Sequence, residues 1–439
     1  MIASTHKELA QRAMEYALKQ GCQAARVTLY ANANTAFELR NGEIDRLQQA
    51  SENGLSIGLY VDGRFGEYST NRMNARELET FIKQGIEATR YLAEDPARVL
   101  PDPSRYYKGG LPDLEQFDQK IDALLPDEKA DIARKAAEEA IGKDDRIISV
   151  DSSWSDRKYE SYRLTSNGFE GSSRQTSFSV YAGVSIRGEG EARPESGWSE
   201  SSLFFDSLPT KDIGTKALER VLRKLGQRKV KSGKYTMVID PRVATQVLSP
   251  VMSALSGSAL QQKNSFLMDR IGQKVASDKL TLIDEPHLIR AVGARYFDAE
   301  GIATQRIPVF ENGVLRTYYV DTYNAKKMNV EPTISGASLL VLQPGTKNLD
   351  ELVKSVNKGI FVTGFNGGNS NSSTGDFSYG IEGFLIENGK QTQPVNEMNV
   401  TGNFVKLWSQ LAEVGNDPRL SSSWRIPTLV FENVDFSGL

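Results

Sequence analysis

Gly54-Leu-Ser-Ile-Gly-Leu-Tyr-Val61 and Phe178-Ser-Val-Tyr-Ala-Gly-Val-Ser-Ile186 are the two stretches whose reading decides the fold. Each is a short, mostly apolar run bounded by turn residues, and each reads as a strand. Upstream of each stands an Asn-Gly pair, Asn41-Gly42 and Asn167-Gly168, predicting a two-residue hairpin in which positive φ is tolerated. Before the first pair, Arg26–Tyr30 and Ala36–Leu39 read as strands; before the second, Ile147–Val150 and Tyr162–Thr165 do. Apolar residues at helical spacing predict helices over Lys7–Lys19 and Glu77–Ala93 around the first stretch. Helices over Glu128–Ile141 and Ile213–Leu225 are predicted around the second. The matched order suggests two copies of one α/β unit, about residues 1–95 and 125–230, sharing a core. Pro96, Pro101, Pro103, Gly109 and Gly110 mark a linker between them.

From about Lys234 the pattern changes. Tyr235–Ile239 reads as a buried strand, and Asp240-Pro241 as the cap and first residue of a helix. Further strands are predicted at Leu280–Ile283, Val309–Phe310, Val314–Val320, Phe384–Ile386 and Thr428–Phe431. Asn312-Gly313 and Asn388-Gly389 supply two more hairpins. The fold class expected is α+β. A first domain, 1–230, holds duplicated helix–β-hairpin–helix units. A second, 231–439, is mostly antiparallel β with a few helices.

The 439 residues are 39% hydrophobic and 25% charged, ordinary for a globular chain with sizeable cores. The net charge of −3 and the absence of a dominant basic block argue against direct nucleic-acid binding; the basic run Arg220–Lys234 reads as a solvated surface. The first residues turn charged and amphipathic at once, and no apolar run is long enough to span a bilayer. A soluble, cytoplasmic protein is expected. A single cysteine, Cys22, excludes an internal disulfide framework.

Two histidines, His6 and His287, lie far apart, and neither has a second ligand at helical spacing. A catalytic zinc normally takes three protein ligands from His, Cys, Asp and Glu, so a histidine-built metal site on this chain is not expected. There is no G-x-S-x-G elbow and no phosphate-loop frame. Ser-x-x-Lys occurs at Ser4–Lys7, Ser155–Lys158 and Ser355–Lys358 without its companion motifs. The most unusual segment is Gly364–Gly380, rich in Gly, Asn and Ser. It reads either as a long loop with tight turns or as a loop lining a peptide or partner groove.

Within that segment, Thr374-Gly-Asp-Phe-Ser-Tyr-Gly-Ile-Glu-Gly-Phe-Leu-Ile-Glu-Asn-Gly389 resembles the signature of the TldD/PmbA family, once described as modulators of DNA gyrase. The likeness extends to Thr401–Phe404, Val414–Asp417 and Phe310–Tyr318, with Asp321, Asn324 and Ala325. It implies a two-subunit peptidase system. The TldD branch carries a helical His-Glu-x-x-x-His motif that binds a metal, with a cysteine near its C-terminus; the PmbA, or TldE, branch lacks the motif and pairs with the first. The Gly375-Asp376-Phe377-Ser378 stretch resembles the PmbA branch and marks candidate peptide- or partner-groove residues. Aligned to the motif, Ser249 and Ala254 occupy the two histidine positions and Pro250 the glutamate position; a register one residue off would bring in Ser253. Where the cysteine is sought, the chain reads Leu420-Ser-Ser-Ser-Trp-Arg425.

The resemblance thus implies a non-catalytic subunit with no cofactor of its own. A TldD-type partner would supply the metal, zinc, and extended or unfolded peptide would be the substrate. Two other readings stay open: a regulatory protein acting on DNA gyrase, and an autonomous peptidase with an unrecognised site, which mutation of Ser249 and Ser253 together would test in part. In isolation the chain is expected to form a homodimer, the commonest default.

Overall fold

The computed structural model describes residues 2–439. In the first half, α1 (Ser4–Lys19), β1 (Ala24–Arg40), β2 (Glu43–Val61), β3 (Arg64–Thr70) and α2 (Ala75–Thr89) are followed by α3 (Pro126–Glu138), β4 (Ile147–Thr165), β5 (Glu170–Ile186), β6 (Glu195–Ser202) and α4 (Ile213–Leu222). The strands form one antiparallel sheet in the order β3-β2-β1-β4-β5-β6. Each trio of strands is thus flanked in sequence by two helices.

The strands are longer than the sequence suggests. Arg26–Tyr30 and Ala36–Leu39 belong to one strand, because Ala31–Thr35 continues the pairing without a turn. Gly54–Val61 is only the later part of β2. Asn41-Gly42 makes the expected tight turn, with φ of 50° and 84°. Asn167-Gly168 does not: strand pairing stops at Thr165 and resumes at Glu170, and only Gly168 has positive φ. The Asn167 amide instead donates to the Pro101 carbonyl, and its oxygen accepts from the Tyr106 hydroxyl, each at 2.8 Å. The Pro-rich stretch is therefore a strap. Tyr107 donates to the Gly301 carbonyl and stacks on Tyr296, fastening it to the second half.

Two cores lie on the helix side of this sheet, and both long central strands serve both. Ala25, Val27 and Leu29 of β1 pack beneath α1 and α2, whereas Phe37 and Leu39 at its other end pack beneath α3. β4 does the reverse: Val150 and Trp154 join the second core, Tyr162 and Leu164 the first. Buried in the second core, Lys129 Nζ meets Asp156 Oδ2 at 2.8 Å, and Asp156 also accepts from the Trp154 indole at 2.7 Å.

The second half contains β7 (Gly233–Ile239), α5 (Thr245–Ala254), α6 (Gly257–Gln261), β8 (Leu282–Asp284), β9 (Ile307–Glu311), β10 (Val314–Leu315), α7 (Thr322–Met328), β11 (Leu340–Leu342), α8 (Leu349–Lys354), β12 (Lys358–Ser370), β13 (Asp376–Glu387), β14 (Lys390–Asn403), α9 (Phe404–Ser409), β15 (Leu411–Val414), β16 (Trp424–Arg425) and β17 (Leu429–Ser437). One sheet runs β10-β9-β8-β11-β16. The other runs β14-β13-β12-β7-β17-β15 and closes on itself where β14 also pairs β17. Pairing is mostly antiparallel, as expected, with β7–β12 and β11–β16 parallel. The strand expected over Val314–Val320 stops at Leu315. The helix expected from Asp240-Pro241 begins only at Thr245; the Asp240 carboxylate caps the turn before it by accepting from the Arg242 N–H at 2.8 Å. The whole is α+β. Among the described residues no helix is long and apolar enough to cross a membrane.

Lys129→Ala leaves Asp156 as a buried charge without its cation, and should destabilise the first half by about 3–5 kcal/mol. Lys129→Met together with Asp156→Leu should cost much less. Chemical denaturation of the three proteins checks the ordering; equal loss in both variants would contradict it.

Candidate functional site

Helix α5 carries the positions that the resemblance marks as degenerate. Its apolar side, Val247, Leu248, Val251 and Met252, is buried in the core of the second half. Ser249 and Ser253 lie one turn apart and are exposed. Ala254 is 2% exposed, so its methyl group is part of the packing. Pro250 stands inside the helix and withholds the N–H that the Gln246 carbonyl would otherwise receive. The helix nevertheless runs unbroken over Thr245–Ala254. Packing of the apolar side holds it, together with Trp408, whose Nε1 donates to the Val247 carbonyl at 3.2 Å.

These residues do not fit a zinc centre. At the positions that the resemblance assigns to two imidazoles and a carboxylate stand an exposed hydroxyl, a ring without a donor and a buried methyl. Among the described residues no three His, Cys, Asp or Glu side chains converge where an ion could be held. The histidines do ordinary work: His6 Nδ1 accepts from the Ala3 N–H at the start of α1, and His287 Nε2 lies 3.1 Å from the Thr304 hydroxyl. Burial lowers the affinity of His287 for a proton. Ser155 and Ser355 hydrogen-bond to Ser179 and to the Leu352 carbonyl rather than to a lysine.

The Gly/Asn/Ser segment is not a loop. It is a β-hairpin, β12 and β13, joined by the short turn Asn371–Gly375 and broken by bulges at Val362/Gly364 and Asn366/Gly368. The alternation of Phe377, Tyr379 and Ile381, all buried, was the strand signal; Gly380 between them and the glycines before them disguised it. Gly375 adopts φ +81° and lies against Phe266, so a side chain there would be both strained and crowded. Asp376 Oδ1 accepts from the Asn403 amide at 2.9 Å and Oδ2 from the Thr374 hydroxyl at 2.7 Å. These bonds hold its carboxyl below the usual carboxylate range. Phe377 stacks on Phe404 at 4.6 Å, and Ser378 is paired between Asn369 and Thr401.

The two predicted regions meet. Val251 of α5 lines an apolar niche with Phe266, Phe404 and Trp408, the ring cluster that also receives Phe377. Beside it opens a hollow of about 750 Å³ walled by Lys274, Ser277, Asp278, Asn403, Lys406 and Ser409. Sequence reasoning missed these walls, since ordinary polar residues carry no motif. It also missed Asp284, wholly buried, which accepts from the Ser338 and Leu339 N–H groups and from the Tyr319 hydroxyl. Burial pushes its carboxyl up, and its bonds tie β8 to the segment leading into β11.

Residues 25–89, 119–225 and 232–438 match, in order, the regions described as PmbA/TldA metallopeptidase domain 1, central domain and C-terminal domain. The fold is therefore that of a metallopeptidase family. The chain belongs to the PmbA/TldD family. A Bacteroides thetaiotaomicron structure, described as a candidate modulator of DNA gyrase, is 67% identical, with each chain covered fully and a TM-score of 0.99. The Haemophilus influenzae metalloprotease PmbA homolog is 27% identical, over 100% of this chain and 98% of the relative. TldE from Thermococcus kodakarensis shares the fold, with a TM-score of 0.85 over 98% of this chain and 100% of that one, at 20% identity.

Two outcomes follow. Ala254→His should lower stability by about 1–3 kcal/mol, because an imidazole must enter a site packed around a methyl group; thermal melting measures it. Burial pushes the Cys22 thiol up to about 11. At pH 8 roughly one molecule in a thousand would then carry the reactive thiolate. Alkylation by iodoacetamide should stay slow in the native protein until the pH approaches 11, and become fast on unfolding.

Proposed function

We propose that this chain is the non-catalytic subunit of a TldD/TldE-type metallopeptidase complex that cleaves extended or unfolded peptides. What carries the reading is the content of three positions: the family resemblance would set two metal-binding histidines and a glutamate base at 249, 254 and 250, where this chain has Ser249, Ala254 and Pro250. The scaffold around them is kept at full packing, which favours a role that needs the shape of the family without its chemistry. A TldD-type partner would bring the metal, zinc, and with it the activated water. This chain would contribute walls to the chamber, with Gly375, Asp376, Phe377 and Ser378 bracing the hairpin that borders the hollow near α5. Main-chain hydrogen bonding along strand edges holds extended peptide with little demand on its sequence. The complex would work in the cytoplasm, and the isolated chain would pair with itself. The division into domains at 1–230 and 231–439 belongs to this reading too.

A second reading has one observation behind it, the description of the 67%-identical protein as a candidate modulator of DNA gyrase. It would make the chain a binding protein that contacts gyrase through protein surface, since a net charge of −3 offers little to DNA.

Purified alone, the chain should contain no stoichiometric zinc by elemental analysis and should hydrolyse no unfolded peptide. Mixed with a TldD-type chain, it should yield chelator-sensitive cleavage. Near-equivalent zinc with cleavage by the lone chain would overturn the subunit reading. Recovery of a gyrase subunit, and no TldD-type chain, in a pull-down would favour the second reading.

A further inference from the structure

The face of the first sheet that turns away from its helices holds a cleft that nothing above uses. Along β5, Val180, Ala182 and Val184 fill the helix-side core, so alternation sends Tyr181, Gly183 and Ser185 to the opposite face. β6 sets Gly197 opposite Gly183 and Glu195 opposite Ser185, while β4 sets Asp151 on the other side of Gly183. The Tyr181 ring lies across both glycines. A Cβ on Gly183 would stand 2.3 Å from its hydroxyl, and one on Gly197 2.5 Å from its ring edge. The ring keeps 40% of its surface exposed. With the second half, whose Asn366, Glu382 and Asn396 form the facing wall, it encloses a cleft of about 500 Å³.

Charge in this cleft is unbalanced. Among the described residues its cation is Lys224, which is committed to the Glu382 carboxylate at 2.9 Å and to the Glu195 carbonyl at 2.8 Å. Of the arginines outside the lining, Arg146 is engaged with Asp144 and Arg242 with Glu200 and Trp198, while the exposed Arg40 stands across from Asp151 on β1 and Arg193 precedes Glu195 by two residues, neither in an ion pair among the described residues. Within the lining the acids Asp151, Glu195 and Glu382 outnumber the one cation, and neither Asp151 nor Glu195 makes an ion pair among the described residues. After burial, it is these two carboxylates that hold the Tyr181 hydroxyl above its ordinary value, placing both within electrostatic reach of the ring. Aromatic rings do cover sheet glycines for packing alone. That accounts for where the ring lies, but not for two unpaired carboxylates at its edges or for the open space above it.

We propose that this cleft binds a lysine or arginine side chain of an extended peptide, its cationic head over the Tyr181 ring and between Asp151 and Glu195. An aromatic face attracts a cation, more strongly where water is partly excluded, and flanking carboxylates add to that attraction. Asn366 and Asn396 offer donors and acceptors to the adjoining main chain. The inference rests on the reading of the chain as part of a peptide-cleaving complex, and deepens it by naming the kind of peptide retained.

The test uses the full chain and two fluorescently labelled peptides, acetyl-Gly-Lys-Gly-Lys-Gly-amide and its norleucine counterpart, with anisotropy as the readout. The lysine peptide should bind about tenfold tighter, and the difference should shrink as salt rises. Asp151→Asn with Glu195→Gln should erase the preference, as should Tyr181→Leu, whereas Tyr181→Phe should retain it. The double carboxylate variant alters only exposed side chains, so it tests the proposal even if Tyr181→Leu disturbs packing over the glycines. Equal binding of the two peptides, no binding of either, or an undiminished preference in the double variant would each overturn the proposal. If the chain mixed with a TldD-type partner cleaves both peptides at one rate, this inference falls while the subunit reading stands.

Discussion

The pairing of β1 with β4, unbroken from Arg26 opposite Thr165 to Arg40 opposite Asp151, is the constraint on which the first half depends. Neither strand belongs to one unit alone. Each begins in one core and ends in the other, so a shift in register by one residue would turn apolar side chains outward in both cores at once. The two helix pairs are thus held at a fixed separation by backbone hydrogen bonds rather than by direct packing of one unit on the other. The strap around Tyr106 and Tyr107 and the ion pairs of Arg242 and Lys224 then set the second half against this frame.

Much of this was legible from residue pattern. The Asn41-Gly42, Asn312-Gly313 and Asn388-Gly389 turns followed from positive φ, and the four helices of the first half from apolar periodicity. What escaped the sequence was continuity. The middle of β1, Ala31–Thr35, alternates alanine with small polar residues and is half-buried beyond Ala31, so it carried no strand signal, although pairing on both sides fixes it as one. Gly364–Gly380 failed for the opposite reason: its glycines mimic a loop, while Phe377 and Tyr379 hold it as sheet through rings packed far away in sequence. Closure of a sheet on itself, as between β14 and β17, leaves no local mark at all.

The candidate site divides in the same way. That α5 lacks ligands could be counted from two histidines and one cysteine. That Ala254 is core while Ser249 and Ser253 face outward depends on which side of the helix meets Trp408 and its neighbours. Proline in the interior of α5 is tolerated because burial of the apolar side compensates the lost backbone bond. The hairpin tip reaches the same ring cluster from the other side. A change in either element would therefore be felt by the other through Phe404.

β17 pairs with β7, β14 and β15, all of which precede it. The first sheet, by contrast, is complete by Ser202. During synthesis the first half can therefore assemble as its residues emerge, whereas the sheet of the second half stays open, with its apolar interior uncovered, until β17 has been made. The late-arriving strand makes the second half the portion most exposed to aggregation, and the portion most in need of a chaperone while the chain is young.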